Sequence, residues 1–279
     1  MTSIEIVDGF VVVLGALSFL MNAVNLATLW YNNCEQIFRR SMSYMVACLA
    51  IADLLTGANS VLWGIRNVTG FYPQTILFTI YWTTVEVSFL TIVAMALDRF
   101  IAVTYPTHSE SIVSPQRTLI GCAFIWIVSA LIGTLILYHL DEGKFVFCAL
   151  FELNIVGVTV LYILMYRKAR VISKLAHSGE MRDKHAIRKA TLESRVYVVV
   201  LVLVGVLVVT VLPYILALHI ELGIIITSPE SERNSALDAF LTYYLPVELL
   251  NFLVNPIVYA WRLPKYRKAL WRTLTFSSK

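Results

Sequence analysis

The sequence predicts an all-α membrane protein, a seven-transmembrane-helix bundle followed by a short amphipathic helix. Three observations lead to this fold class. Of the 279 residues, 58% are hydrophobic and only 14% are charged, whereas an ordinary soluble domain has about 25% charged residues. The apolar residues form seven segments, each long enough to cross about 30 Å of hydrocarbon. Finally, nearly all basic residues fall on one side of the resulting bundle.

The seven apolar segments should be helices, because in lipid only a helix satisfies a segment's backbone hydrogen bonds internally. Four of them contain one carboxylate each near the centre, namely Asp53, Glu86, Glu152 and Glu248. We place the spans at about residues 9–31, 42–65, 74–101, 118–139, 145–168, 194–222 and 237–261. Residues 1–262 then form one transmembrane domain, and residues 263–279 form an amphipathic helix and a short tail.

The distribution of Lys and Arg predicts the orientation, because basic residues resist translocation and stay on the cytoplasmic side. With the N-terminus outside, the inner segments hold 19 of the 22 basic residues. The outer segments hold the other three, Arg66, Lys144 and Arg233. The sequence therefore predicts an outside N-terminus and an inside C-terminus.

Two features outside the spans carry further predictions. An Asn-Val-Thr sequon at Asn67 falls in the predicted first outer loop, where an N-glycan can be added. After the seventh span, an apolar stripe of Leu263, Tyr266, Leu270 and Leu274 lies among basic residues. Such a helix is typical of a segment that lies on the anionic inner leaflet.

Five motifs lie within the predicted spans. In chain order they are Leu49-Ala50-Ile51-Ala52-Asp53, Asp98-Arg99-Phe100, Trp126, Pro213 and Asn255-Pro256-Ile257-Val258-Tyr259. They resemble the LAxAD, DRY-type, Trp, Pro and NPxxY signatures of rhodopsin-like (class A) G-protein-coupled receptors. The order and the spans match, and the resemblance covers essentially the whole chain. It implies a plasma-membrane receptor, not an enzyme, that transmits the binding of an extracellular ligand to a heterotrimeric G protein.

The buried carboxylate of the second span must face the bundle, because an ionisable side chain in hydrocarbon is costly without partners. Candidate partners on other spans are Asn22, Asn25, Ser88, Asn251 and Asn255. The resemblance implies that Asp53, Ser88, Asn251 and Asn255 hold an allosteric sodium ion, and no other cofactor is expected. The alternative is a hydrogen-bonded polar core without an ion.

The resemblance also implies a switch at the cytosolic end. Arg99, next to Asp98, would pair with Glu193 at the start of the sixth span, and breaking this pair would free the arginine for the G protein. The remaining activation-switch residues are Tyr162, Pro213, Asn255, Pro256 and Tyr259. Arrestin and a receptor kinase are further implied partners, whereas nucleic acid is not.

The chain departs from the family pattern at several positions. Val211 replaces the usual sixth-span tryptophan, Asn154 replaces the fifth-span proline, and Gln74 stands where most members place a disulfide cysteine. The predicted second outer loop, 140–144, is also very short. These features resemble the melanocortin, adenosine, cannabinoid and lysophospholipid receptor branch, and the subfamily stays open.

Glu86 and Glu248 lie in the outer half of the predicted bundle. We expect a ligand pocket formed by Tyr81, Trp82, Val85, Glu86, Tyr214, Leu218, Leu245 and Glu248. One hypothesis is a cationic ligand held by either glutamate against an aromatic wall. The other is that each glutamate is protonated or bonded to a neighbouring helix and only stabilises packing. Tyr81 occupies the position of the usual amine-binding aspartate, which weakens a biogenic-amine interpretation.

Other functions of a seven-helix protein are less consistent with the residues. A retinal protein requires a seventh-span lysine, which this chain lacks. A transporter should show internal repeats or paired broken helices, and an intramembrane enzyme should show paired aspartates, HExxH or GxSxG. None of these patterns is present in the sequence. A transporter and a non-signalling decoy receptor stay as the alternatives to a signalling receptor.

Overall fold

The computed structural model describes the backbone of residues 3–32, 38, 40–70, 74–105, 108–177, 184–227 and 235–275. It describes their side chains except at 67–69, 74, 110, 169, 171–177 and 184–197. All regular secondary structure in these ranges is helical. The helices are α1 (Ser3–Tyr31), α2 (Arg40–Thr69), α3 (Gln74–Thr104), α4 (Ser109–Ile112), α5 (Pro115–Tyr138), α6 (Leu140–His177), α7 (Lys184–Thr227), α8 (Ser235–Arg262) and α9 (Pro264–Thr275).

Seven of these helices are long and apolar enough to cross a membrane: α1, α2, α3, α5, α6, α7 and α8, here called the first to seventh spans. The short helix α9 follows the seventh span. The predicted fold class, a seven-helix bundle with an additional C-terminal helix, is therefore confirmed. Below, the inner half of the bundle is the half that contains Arg99, and the outer half is the half that contains Trp82.

The helices extend beyond the hydrocarbon-length segments, because a helix does not have to end where the lipid ends. The fifth span continues to His177 and the sixth begins at Lys184, so the backbone of Glu193 is helical. The second span continues to Thr69, so Asn67 lies in its last helical turn and the prediction of a loop there is wrong. The glycosylation itself stays a prediction.

The predicted second outer loop is wrong as well. The fourth span ends at Tyr138 and the fifth begins at Leu140, so His139 alone connects them. The backbone of His139 bonds to Leu135 and accepts a bond from Gly143, each across 2.7 Å. A Cβ atom at Gly143 would lie 2.5 Å from the Cα of Ile136. The close crossing of the two helices therefore requires glycine at this position.

The third span lies at the centre and packs against the second, fourth, fifth and sixth spans. The first span packs on the second so closely that a Cβ atom at Gly57 would lie 2.7 Å from the Gly15 carbonyl oxygen. Small residues permit this approach, which stabilises helix pairs in lipid through van der Waals contact. Buried apolar side chains form two clusters, one in the inner half around Met95 and Tyr259 and one in the outer half around Trp82 and Phe147.

Helix α9 packs against the first and seventh spans. Tyr266 is buried, and its hydroxyl donates a hydrogen bond to the Asn25 side-chain oxygen across 2.9 Å. The Asn32 amide donates to the backbone oxygen of Ala269 and to the Thr273 hydroxyl at 3.1 and 2.8 Å.

The predicted apolar stripe of α9 divides between two environments. Leu263 and Tyr266 are buried against the bundle, whereas Leu274 and Trp271 are exposed on its outer side. Ala269, which the predicted stripe did not include, supplies the rest of the buried face. Leu270 is partly buried against the inner apolar cluster, and Leu274 lies one turn beyond it. That α9 lies on the membrane surface stays a prediction, and the exposed Trp271 and Leu274 are the residues that would contact lipid.

Candidate functional site

The carboxylate of Asp53 lies fully buried at the centre of the bundle. The Ser88 hydroxyl of the third span donates to its Oδ1 across 2.9 Å, and the Asn255 amide of the seventh span donates to its Oδ2 across 2.6 Å. Each carboxylate oxygen thus has a partner on a different helix. The inward orientation follows from the cost of a lipid-facing carboxylate.

The first span joins this site through backbone atoms. The Ser18 hydroxyl donates to the Asp53 carbonyl oxygen at 3.2 Å, and the Asn22 amide donates to the carbonyl oxygens of Ser18 and Phe252. Asn25, considered above as a partner of Asp53, instead accepts the bond from Tyr266. It lies two helical turns, about 10 Å, beyond Ser18 towards the inner end, so it is at the wrong depth for Asp53.

The residues around Asp53 fit a small hard cation. Asn251 is buried, neither polar atom of its side chain has a hydrogen-bond partner among the described residues, and the same is true of the Asn22 side-chain oxygen. Carboxylate, hydroxyl and amide oxygens are the ligands that hard cations prefer. In the described part of the chain no three His, Cys, Asp or Glu side chains converge on a metal position. A single carboxylate suits a monovalent ion better than a divalent one.

Arg99 is buried at the inner end of the third span and is bonded to the adjacent Asp98. Its Nε donates to Asp98 Oδ2 across 2.9 Å, and its Nη2 contacts the same oxygen. The guanidinium is therefore folded back along its own helix and is not presented to the inner surface. The side chain of Glu193 lies outside the described residues, so the Arg99–Glu193 pair stays a prediction.

The predicted switch tyrosines lie in the inner apolar cluster. Tyr259 is fully buried, and its ring packs on Phe38 and Tyr266 with centroids 6.0 and 5.7 Å apart. Its hydroxyl has no hydrogen-bond partner among the described residues. Tyr162 is buried in the same cluster.

Prolines interrupt the sixth and seventh spans. Pro213 lies inside the sixth span, and Pro256 lies inside the seventh, where Pro246 adds a second interruption. Each removes a backbone hydrogen bond and so weakens the helix locally. Val211, in place of the usual tryptophan, is fully buried in the outer apolar cluster.

A cavity of about 150 Å³ opens in the outer half of the bundle. It is lined by Val11, Asn59, Ser60, Trp63, Phe78, Tyr81, Trp82, Tyr214 and Leu245. Four predicted pocket residues therefore line it: Tyr81, Trp82, Tyr214 and Leu245. The contributions of the first and second spans were missed. A sequence signal for the second span existed in Asn59 and Trp63, which lie nearly two and nearly three helical turns beyond Asp53.

The other four predicted pocket residues, Val85, Glu86, Leu218 and Glu248, are buried but do not line the cavity. Glu86 lies five positions beyond Tyr81, about 140° around the helix, and one turn further into the membrane than Trp82, which does line the cavity. It shares a face with Trp82 and Phe89, whose rings pack on Phe147 of the fifth span. Both carboxyl oxygens of Glu86 lack a partner among the described residues.

Glu248 lies behind the cavity wall. Its carboxyl group interacts with the Tyr81 side chain, and Tyr214 lies within range of its charge. One carboxyl oxygen, Oε2, has no hydrogen-bond partner in the described part of the chain. Glu248 therefore interacts with two residues that line the cavity, although it does not line the cavity itself.

A charged contact forms the outer rim of the cavity. The Arg66 guanidinium donates to Asp8 Oδ1 across 3.2 Å and to the Trp63 carbonyl oxygen, and its central carbon lies 4.0 Å from the centroid of the Trp63 ring. Asp8 belongs to the first span and Arg66 to the second. The rim thus ties the outer ends of these helices together with balanced charges.

An ion pair and a histidine–carboxylate contact join the fifth and sixth spans, and neither was predicted from the sequence. Lys144 donates to Glu221 across 2.8 Å in a largely buried contact. Nearer the centre of the membrane, the His219 ring lies 3.4 Å from Glu152, which is exposed on the lipid-facing side. The partners lie on different spans, so only the packing of the helices identifies them.

Comparison with known families agrees with this arrangement. A family model described as the 7 transmembrane receptor (rhodopsin family) matches residues 24–259. The matched region contains the Asp53 core, Arg99 and the switch residues through Tyr259. It spans most of the 279 residues. The chain is therefore a member of the rhodopsin family of seven-transmembrane receptors.

Proposed function

We propose that this receptor activates a heterotrimeric G protein when an extracellular ligand binds in the outer cavity. The observation that carries the proposal is the Asp53 core, in which one carboxylate is bonded to the third span through Ser88 and to the seventh through Asn255. The third span also carries Arg99, and the seventh carries Tyr259. A change in the hydrogen bonds of Asp53 would therefore affect both the third span, which carries Arg99, and the seventh span, which carries Tyr259.

Two contacts at the inner end support the assignment of the described packing to the inactive state. Arg99 is buried and bonded to Asp98, and the hydroxyl of Tyr259 is enclosed with no hydrogen-bond partner among the described residues. A G protein requires an accessible cationic side chain, so its binding would favour a packing in which Arg99 leaves Asp98. Ligand and G protein then stabilise the same alternative state from opposite ends of the bundle.

Three further parts of the proposal concern regulation. Glu193 would pair with Arg99 and tie the sixth span to the third in the inactive state. A sodium ion held by Asp53, Ser88, Asn251 and Asn255 would add positive charge to the core and stabilise the inactive packing. Arrestin and a receptor kinase would act on the inner surface at the plasma membrane.

The test is agonist-independent G-protein activation in cells, compared between the wild type and Arg99→Ala at equal surface expression. We expect the variant to lose most basal activation. The matched control is Arg117→Ala, which removes an exposed basic residue at the inner end of the fourth span whose side chain donates to the carbonyl oxygens of Ser111 and Ile112 in α4. Equal signals in the wild type and Arg99→Ala would contradict the proposed switch, and the absence of basal and ligand-stimulated signal from both would favour a non-signalling receptor.

A further inference from the structure

We propose that the outer cavity binds a small organic ammonium ion that also carries an oxygen acceptor, enclosed by aromatic rings with the Glu248 carboxylate behind them. The inference rests on the proposed receptor function and names the ligand class of the same cavity. It differs from direct clamping by Glu86, because that residue does not line the cavity.

The cavity wall is an aromatic cage. Five of its nine lining residues are aromatic: Trp63, Phe78, Tyr81, Trp82 and Tyr214. The ring of Trp82 meets those of Phe78 and Tyr81 nearly at right angles, with centroids 6.2 and 5.8 Å apart. These three rings thus lie in different planes around one cavity. Aromatic faces attract cations, and cages of this kind recognise quaternary ammonium groups.

Charge balance also favours a cation. The positive charge of Arg66 at the rim is matched by Asp8 at 3.2 Å. Glu248 has no salt-bridge partner among the described residues, and its contact is with the hydroxyl-bearing side chain of Tyr81. A carboxylate at this depth is costly without a positive partner. An ammonium ion in the cavity would provide this positive charge beside Tyr81 and Tyr214, the two lining residues that interact with Glu248.

Two polar atoms in the cavity wall specify the rest of the ligand. The side-chain oxygen of Asn59 and the indole N–H of Trp82 have no partners within the described part of the chain. Their residues are only 4% and 5% exposed. Buried polar groups are almost always hydrogen-bonded. The Asn59 oxygen requires a donor, and the Trp82 N–H requires an acceptor, so a hydroxyl group on the ligand would satisfy both.

Volume limits the ligand to a small molecule. The cavity of about 150 Å³ matches the size that accepts one benzene-sized ligand. Choline combines a quaternary ammonium, a hydroxyl group and a comparable size, so it is a suitable probe. Its neutral isostere 3,3-dimethyl-1-butanol replaces the nitrogen with carbon and keeps the shape and the hydroxyl group.

The test measures the thermal unfolding midpoint of the full-length receptor in nanodiscs as choline or the isostere is titrated. Because a ligand that binds only the folded state raises the midpoint with concentration, each titration yields an apparent affinity. We expect choline to bind at least about tenfold more tightly than the isostere. Equal affinities for choline and the isostere would overturn the proposal. So would the absence of any midpoint shift at a choline concentration about a hundredfold above a millimolar dissociation constant.

Glu248→Gln removes the charge and keeps the shape of the side chain. We expect it to weaken choline binding about tenfold or more and to leave isostere binding unchanged. The matched control is Glu152→Gln, which removes a carboxylate of similar depth that faces away from the cavity. Unchanged choline affinity in Glu248→Gln would contradict the role of the carboxylate. If this variant does not fold, the comparison of choline with its isostere on the wild type still decides the question.

This experiment uses no G protein, so its outcome is separate from that of the Arg99 test. Choline-selective binding in a receptor whose Arg99→Ala variant signals like the wild type would support the ligand class and contradict the proposed coupling. Loss of basal signal in Arg99→Ala, without choline-selective binding, would support the coupling and overturn the ligand class.

Discussion

The side-chain amide of Asn255 in the seventh span lies 2.6 Å from the carboxylate of Asp53 in the second and donates a hydrogen bond to it. The two residues are separated by 202 positions in the chain. Ser88 of the third span donates to the other oxygen of the same carboxylate. Three helices are therefore connected at one fully buried acidic group, and the stability of their packing should depend on both donors.

Removing the amide should destabilise the receptor. In Asn255→Ala, Asp53 Oδ2 loses its donor, which costs about 1–3 kcal/mol for a buried acceptor. We expect a lower thermal unfolding midpoint in detergent. The matched control is Thr134→Ala, because the Thr134 hydroxyl bonds only to the carbonyl oxygen of Ala130 in its own helix and is exposed. A midpoint lowered no more in Asn255→Ala than in the control would contradict the central role of this bond.

Sodium should stabilise the wild type more than potassium does. If the oxygen atoms around Asp53 hold the ion, the midpoint rises with sodium concentration according to mass action. We expect higher midpoints in sodium chloride than in potassium chloride at equal ionic strength, and no such difference in Asp53→Asn. Asp8→Asn, at the outer rim, should keep the difference. Identical midpoints of the wild type in the two salts would favour a polar core without an ion.

The docking of helix α9 should depend on one hydroxyl group. Tyr266→Phe keeps the ring that packs on Tyr259 and removes the bond to Asn25, so we expect a loss of about 1 kcal/mol. Tyr105→Phe, at an exposed tyrosine, is the matched control. A loss of the same size in both variants would show that the bond to Asn25 contributes nothing specific.

The contribution of Tyr266 should also depend on pH in one direction. Burial raises the pKa of its phenol, so the folded state favours the protonated donor. The stabilisation is then complete below the unfolded-state pKa of about 10 and is lost as the pH rises above it. The difference between wild type and Tyr266→Phe, measured as unfolding midpoints, should stay constant from about pH 6 to 9 and shrink above about pH 10. A difference that changes between pH 6 and 8 would contradict this assignment.

The sequence was sufficient for the spans and for the Asp53 core, because both follow from the cost of exposing polar groups to lipid. A carboxylate in the second span has to face the bundle, and polar residues at the same depth on other spans are then its natural partners. Ser88 and Asn255 satisfy this condition. Asn25 does not satisfy it. Its side-chain oxygen instead accepts a hydrogen bond from Tyr266, which lies 241 positions away in α9.

The outer cavity was less predictable, because its lining depends on how each helix is rotated about its axis. Tyr81 and Glu86 belong to the same predicted pocket by depth, yet only Tyr81 lines the cavity. The rotation of the third span is set by the rings of Trp82 and Phe89 against Phe147. Depth can be counted along one helix, whereas rotation depends on contacts with its neighbours.

The contact between Lys144 and Glu221 should couple the outer ends of the fifth and sixth spans. The atoms Nζ and Oε2 are 2.8 Å apart, and both side chains are largely buried. A double-mutant cycle with Lys144→Ala and Glu221→Ala, read out as unfolding free energies, should give a coupling of about 1–3 kcal/mol. Each single variant leaves one charge without its partner, so the double variant should be less destabilised than the sum of the two.

The matched cycle combines Lys144→Ala with Glu142→Ala, since Glu142 is exposed in the first turn of the fifth span. This cycle should give additive effects, because Lys144 is directed at the sixth span and not along its own helix. Additivity in both cycles would mean that the contact with Glu221 does not stabilise the pair of helices. Movement of the sixth span relative to the fifth would then be opposed by the His219–Glu152 contact and by apolar packing around Cys148 and Leu218.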